Sequence, residues 1–598
     1  MSRWRPWAVG VASGLLLTAC TGSGDPEDAD EGAGAPGSSA SRIADLRGPA
    51  RPVEGAVSGG SLTVHLPGEP GPTSLDPAGL GQGQARAIMQ ALTQRSLTQY
   101  ARGEDGTPVL VPDLATDLGR PNEDHTEWRF TLRDGVTWED GSAVTPGQVA
   151  FGITRTLDVK AFPLGPGADY TRPYFAGGTQ GRSTEQQGKQ GKKAKKAKKA
   201  EKAPFTGVRV EGRDVVLTTT EPYPEMDRLV SLPGFGPVPE GKVSDPPGYG
   251  RKPWATGPYR VKRLVPGKRL VLVANGQWQP DSDPGRHQYV DRWVFRFDRT
   301  QAQVDRLVLD GGKRARHTVA TVSGHAYPEA APALGDRLVP QAAPCVSTLA
   351  PDHTKITDLA VRRALALAYP YEEAWLAAGE VPGITRMHAD SLVPPWFPGK
   401  QDRDAVDAGE GSSPRTDPER ARELLAEAGH EPGDYELTML VHEDDPRAVA
   451  VQERVTRALR RGGFAVRVLP VAESPYNVWG EPKSPLDKKL NVRAVSLCAD
   501  WPSGSGLVEP LLRARSDYNT ARFAEESVEQ ELDRIAALSP TEQDEAWAEL
   551  DERVSAEQLP FVPTGFRREL LAFGQGVGNP TGEAASGAPN YRDLYVVE

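Results

Sequence analysis

The chain has 598 residues, of which 38% are hydrophobic and 25% charged, with a formal net charge of −11. That balance suits a soluble body too long for one core, of roughly two to four lobes. It argues against a nucleic-acid surface, which needs clustered positive charge.

The first residues carry an address. Met1 to Arg5 holds two arginines, and an apolar run follows from Trp7 to Leu17. The run is too short to span a bilayer and has the shape of a secretory signal. It ends in Leu17-Thr18-Ala19-Cys20, which resembles a bacterial lipobox. There the cysteine becomes the lipid-bearing first residue, so Cys20 is expected to be lipidated and residues 1–20 to be the signal. The plainer alternative is a chance cysteine beside a signal. Acyl chains hold a protein to a membrane because each buried methylene contributes ~0.8 kcal/mol. Residues 21–60 are rich in Gly, Ser, Ala, Pro and acids. They are expected to stay unfolded as a tether spanning roughly 35 Å. The body is therefore expected on the extracellular face of a cell membrane.

The body opens with an alternating strand at Ser61–Leu66, a turn at Thr73–Pro77 and an amphipathic helix over Gln84–Gln94. Glu127–Arg133 alternates as a strand, and Asp134-Gly135 and Asp140-Gly141 are tight-turn pairs. Thr145 is placed to cap a helix that has Pro146 in its first turn. Residues 177–204 are of low complexity and lysine-rich, which predicts a solvated surface insert. Attraction to an anionic membrane or wall polymer is the other reading. "GVRVEGRDVVLTTT" and "TGPYRVKRLVPGKRLVLVANGQW" each read as strand pairs, and Tyr289–Phe297 as a further strand. "QAQVDRLVLDGG" is a helix closed by glycine. Helices are predicted after Asp358 and after Asp417, each with the acid at its cap. Strand, helix and strand then succeed one another in "YELTMLVH", "PRAVAVQERVTRALRRGG" and "FAVRVLPV", the pattern of a parallel crossover. "NVRAVSLC" is a strand, two polar amphipathic helices follow over 527–538 and 541–558, and "LPFVPTGF" closes as a short strand. The class is mixed α/β.

Apart from Cys20, the cysteines are Cys345 and Cys498. An even pair in an exported chain favours a disulfide over two buried thiols, and it would close a loop of about 150 residues. Catalytic signals are sparse. "HEDDP" at His442–Pro446 begins like a zinc-protease helix but lacks the second histidine. "GLGQGQ" does not follow a strand in the dinucleotide manner, and no G-x-S-x-G elbow occurs. No cofactor, metal site or enzymatic activity is therefore expected.

"LDP" at 75–77, "PVLVPDLATD" at 108–117 and "WRFTLRDGVTWEDGSAVTPGQVAF" at 128–151 resemble the N-terminal signature of the family 5 extracellular solute-binding proteins, which serve oligopeptide and dipeptide ABC importers. "ATGPYRVKR" at 255–263, "ITDLAVRRALALA" at 356–368 and "DPERARELLAEAG" at 417–429 resemble later segments of the same family. The resemblance implies a periplasmic-binding-protein-like fold of type II, cluster C like: two lobes closing about a hinge, with an extra N-terminal subdomain. It divides the chain into lobe I (61–83, 236–344 and 562–598), the subdomain (84–235) and lobe II (345–561). It also supports the Cys345–Cys498 bridge.

"CADWP" at 498–502 resembles the family segment whose aspartate meets the ligand's α-amino group. By that resemblance Asp500 is the expected partner of a peptide ammonium. The residues alone also allow Asp500 to cap the turn before Pro502 or the helix from about Leu507. Trp501 reads as a side-chain pocket wall or as packed core. Arg447 and Lys483 are candidate partners for the ligand carboxylate, with the alternative that both are surface charges. Gly81 stands where some relatives carry an acid, and "PSGSG" after Trp501 predicts a looser wall. The expected partners are short peptides, an ABC permease and ATPase, and a membrane through the lipid, with the protein itself a monomer and no nucleic acid bound. Alternatives are a nickel-chelate or oligosaccharide binder on the same fold, a sensor or adhesion lipoprotein, and a surface hydrolase.

Overall fold

The computed structural model describes residues 42–68, 71–81, 83–104, 106–178, 204–243, 246–400, 415–479 and 484–598. The signal, Cys20, the tether up to residue 41, the lysine-rich stretch 179–203 and Lys483 lie outside the described residues.

Among the described residues, nine strands form one mixed sheet. Across it run Val492–Cys498, Leu338–Pro351, Val562–Phe573, Thr318–Val322, Ser61–His65, Arg292–Arg296, Arg269–Ala274 and Tyr259–Val265, with Arg386–Met387 pairing on Val562–Phe573. Two strands are long. Leu338–Pro351 and Val562–Phe573 run antiparallel to each other, with register shifts between Ala342 and Val346 and between Ser347 and Thr348. At one end of this ribbon Val562–Phe573 pairs with Thr318–Val322; at the other Leu338–Pro351 pairs with Val492–Cys498. The ribbon thus joins two separately packed regions. One buries Leu62, Val64, Trp293, Phe295 and Tyr591; the other buries Val346, Leu507, Leu511, Trp547 and Phe566. Pro344 lies inside the unpaired bulge, where the missing N–H costs no ladder bond.

A third packed region is built on residues 97–235. The antiparallel sheet Arg120–Pro121, Glu127–Thr131, Asp214–Thr218 and Val208–Glu211 buries Trp128, Phe130, Val215 and Leu217. Its helix Pro146–Arg155 starts as expected: Thr145 and Gln148 form a reciprocal capping box, with Pro146 at the first position. The same helix explains the "LDP" motif. Arg155 donates to both oxygens of buried Asp76, at 2.8 and 2.6 Å, so the motif's acid locks this region to the loop before helix Gln84–Leu92.

The predicted crossover is present. Glu436–His442 and Ala465–Val471 pair in parallel around helix Pro446–Arg461. The last 19 residues of the expected tether need correction. From Arg42 the chain is laid along the body: Ile43 N–H donates to Leu110 O at 3.1 Å, Ala50 N–H to Asp283 O at 3.1 Å and Gly59 N–H to Tyr289 O at 2.7 Å. A segment too polar to build a core has its backbone bonded by another core's carbonyls, and Arg42 adds an ion pair of 2.6 Å to buried Asp227.

Candidate functional site

The strand Val492–Cys498 ends at a fixed point. Cys498 is bonded to Cys345, its register partner on the neighbouring strand, and Ala499 N–H still donates to Pro344 O at 2.8 Å. Asp500 is the next residue, so the disulfide sets where its carboxylate leaves the sheet. The helix that follows, Ser505–Leu512, has Gly504 at its cap and no side-chain capping bond, which removes the reading of Asp500 as that helix's cap. The expected looseness of "PSGSG" is also corrected. Pro502, Ser503, Gly504 and Ser505 are buried. A Cβ on Gly504 would stand 2.6 Å from Trp547 Cβ, so glycine here permits close packing.

Asp500 points to the region built on residues 97–235 and to the helix just before it. Tyr170 donates its hydroxyl to Asp500 Oδ2 at 2.6 Å, and Arg86 Nη1 pairs with Asp500 Oδ1. The Arg86 and Asp500 side chains are 11% and 16% exposed. Arg86 belongs to the first turn of helix Gln84–Leu92, and Tyr170 to the single π turn Gly167–Thr171. Trp501 is buried within the 97–235 core, its ring 5.4 Å from that of Tyr170. It forms the packed backing of this corner.

Further side chains of both regions face the same seam. Burial, reinforced by the charges of Asp500 and Asp517, raises the Asp169 carboxyl above its ordinary range. Tyr518 is pushed up to about 12, by burial and then by Asp169, Asp500 and Asp517. Tyr174 is likewise raised to about 12, by burial and the charge of Glu509. Tyr223 sits 5.1 Å from Tyr174, edge to face. Burial also raises Glu509, which Arg513 opposes through a 2.9 Å hydrogen bond. The seam thus presents phenol rings and carboxylates from both sides. Such a surface offers flat amphipathic contacts and hydrogen-bonding groups to a polar, extended molecule.

Beside it the two regions are tied directly. Arg228, from helix Met226–Leu229, donates to Asp544 Oδ1 at 2.8 Å and Oδ2 at 2.7 Å. These side chains are 3% and 2% exposed. Glu225 lies 3.1 Å from the Arg228 guanidinium and accepts from Ser503 at 2.9 Å, so the loop after Asp500 joins the same network.

The structure therefore gathers Asp500, Trp501, Cys345 and Cys498 into one corner. Arg447 is exposed in the first turn of Pro446–Arg461, where Asp445 accepts from its backbone N–H; the cation that meets Asp500 is Arg86. Sequence reading missed Arg86, Tyr170 and Asp169. One signal for Arg86 existed: a cation in a helical first turn that has no acid of its own.

Residues 109–519 match the model of the bacterial extracellular solute-binding proteins, family 5. The periplasmic murein peptide-binding protein MppA of Escherichia coli K12 is 28% identical over 229 residues, which are 36% of this chain and 36% of that protein. A solved structure titled clavulanic acid biosynthesis oligopeptide binding protein 2 superposes with a TM-score of 0.74 at 23% identity, over 93% of this chain and 99% of that one. Haemophilus influenzae OppA in complex with RPPGFSPFR gives a TM-score of 0.63 at 16% identity, over 91% of this chain and all (100%) of that one. The two-lobed architecture with its extra subdomain is the fold shared with these structures.

Proposed function

The chain belongs to the bacterial extracellular solute-binding proteins of family 5, and from that premise we propose that it captures short peptides between its lobes and delivers them to an ABC importer. Residues 84–235 act as the subdomain, 345–561 as the second lobe, and the remaining body as the first. A lipid on Cys20 holds the protein at the outer face of the membrane. No helix among the described residues is long and apolar enough to cross a bilayer.

The observation that carries the reading is the Asp500 corner. A carboxylate fixed by a disulfide at a strand end faces a phenol from the 97–235 region and a guanidinium from the helix before it. Peptide backbones are gripped by hydrogen bonds along an extended chain, while charged groups at the ends fix direction. When closure removes water from such a corner, each charge pair gains strength. Asp500 then lies at the ligand's amino end, and the phenol rings of Tyr174, Tyr223 and Tyr518 flank the chain.

The test is Asp500→Asn in calorimetric titration with a defined mixture of tri- to pentapeptides. Without Asp500 the ligand ammonium meets the Arg86 guanidinium unopposed, so affinity for free-amine peptides falls on the order of tenfold, and loss of the Arg86 pair lowers the melting temperature as well. Unchanged affinity removes Asp500 from the site.

A further inference from the structure

Arg86 occupies the place in which the Asp500 corner would receive a ligand's cation. One carboxylate oxygen accepts from Arg86 and the other from Tyr170. The helix gives Arg86 no local reason to be there. Its cap, Gly83, has φ +108 and makes no side-chain capping bond, and no acid stands in the first turn. A cation at that end also opposes the helix dipole. Its carboxylate partner is Asp500, 414 residues away in the chain.

We propose that Arg86 is a specificity-determining residue: by pairing with Asp500 it makes the site accept peptides with a blocked amino terminus about as well as those with a free one. This rests on the peptide-capture reading and deepens it. A ligand ammonium reaches the corner only by exchanging with the guanidinium, one cation for another, so little is gained. A peptide whose amino end is acylated leaves the Arg86–Asp500 pair intact and loses nothing. The substrate class implied is broad at its amino end, including N-acylated peptides.

The experiment uses the full body of the protein and one library of tri- to pentapeptides, prepared in free and N-acetylated forms. Wild type, Arg86→Gln and Arg86→Lys are each loaded with both forms at equal concentration, and retained peptides are quantified by mass spectrometry. Wild type is expected to retain the two forms in similar amounts. Arg86→Gln, which leaves Asp500 without its guanidinium, is expected to favour the free form at least about tenfold, the scale of one partly buried charge pair. Arg86→Lys keeps a cation and is expected to stay near the wild-type ratio. A ratio that does not move in Arg86→Gln, with binding intact and a lowered melting temperature, makes the pair a structural clamp and overturns the inference. Strong wild-type preference for the free form overturns it as well. Retention of neither form by any variant defeats the peptide reading itself, and the inference falls with it.

Discussion

Replacing Asp544 by Asn tests how the two sides of the seam are held together. In the wild type Arg228 makes two hydrogen bonds to Asp544, with both side chains almost fully buried. Burial raises the Asp544 carboxyl, and the Arg228 charge beside it opposes that shift. The substitution leaves the guanidinium buried with one carboxylate fewer. Losing one partner of a buried pair costs about 3–5 kcal/mol. Glu225, 3.1 Å from the same guanidinium, softens the loss toward the lower figure. About 3 kcal/mol taken from the closed arrangement shifts a closed–open equilibrium by about 150-fold. Small-angle scattering of the peptide-loaded protein should show a larger radius of gyration for Asp544→Asn, and calorimetry a weaker peptide affinity. Arg228→Met combined with Asp544→Leu and Glu225→Gln removes the charges of the whole cluster and should recover most of the lost stability. An unchanged radius and unchanged affinity in Asp544→Asn would refute the argument that this pair holds the seam.

The Cys345–Cys498 bridge closes a separation of 153 residues, so chain entropy sets an upper figure of ~5 kcal/mol for its contribution. Cys345→Ala with Cys498→Ala should lower the melting temperature and widen the rotamer range of Asp500, seen as weaker peptide binding. His65 is buried beside Arg299 and Arg296 and its pKa is lowered to about 4, by burial first. The folded state therefore binds fewer protons than the unfolded one between pH 6.5 and about 4. Its stabilising share is complete above pH 6.5 and falls as the pH drops through that window, by at most about 3 kcal/mol. His65→Asn should flatten the urea-unfolding free energy over that range; an equally steep slope would assign the loss elsewhere. Trp501→Ala removes a ring buried against Tyr170 and should cost about 3–5 kcal/mol in chemical denaturation.

Local chemistry made much of the fold legible. Thr145-Pro146, Asp417-Pro418 and Asp358 are caps with a mechanism, and each helix begins where its cap stands. The long ribbon was hidden for a physical reason. Leu338–Pro351 holds Pro340, Pro344 and Pro351, and Val562–Phe573 holds Pro563 and Gly565, residues that read as strand breakers. Register shifts fall at Pro344 and beside Pro563 and Gly565, which no local rule announces. At the site, Asp500 was legible through the segment around Cys498. Its partners Arg86 and Tyr170 stand 414 and 330 positions away, and only tertiary packing brings them together. The strap from Arg42 was hidden as well, because its order comes from another core's backbone acceptors and from Asp227.

Peptides are expected to bind in the seam between residues 84–235 and the second lobe. The most direct measurement is mass spectrometry of the small molecules released on denaturing the protein after native purification from its own cells. A mixture of short peptides is expected, including species with acylated amino ends. Release of a single sugar or a metal chelate, with no peptide above background, would contradict it.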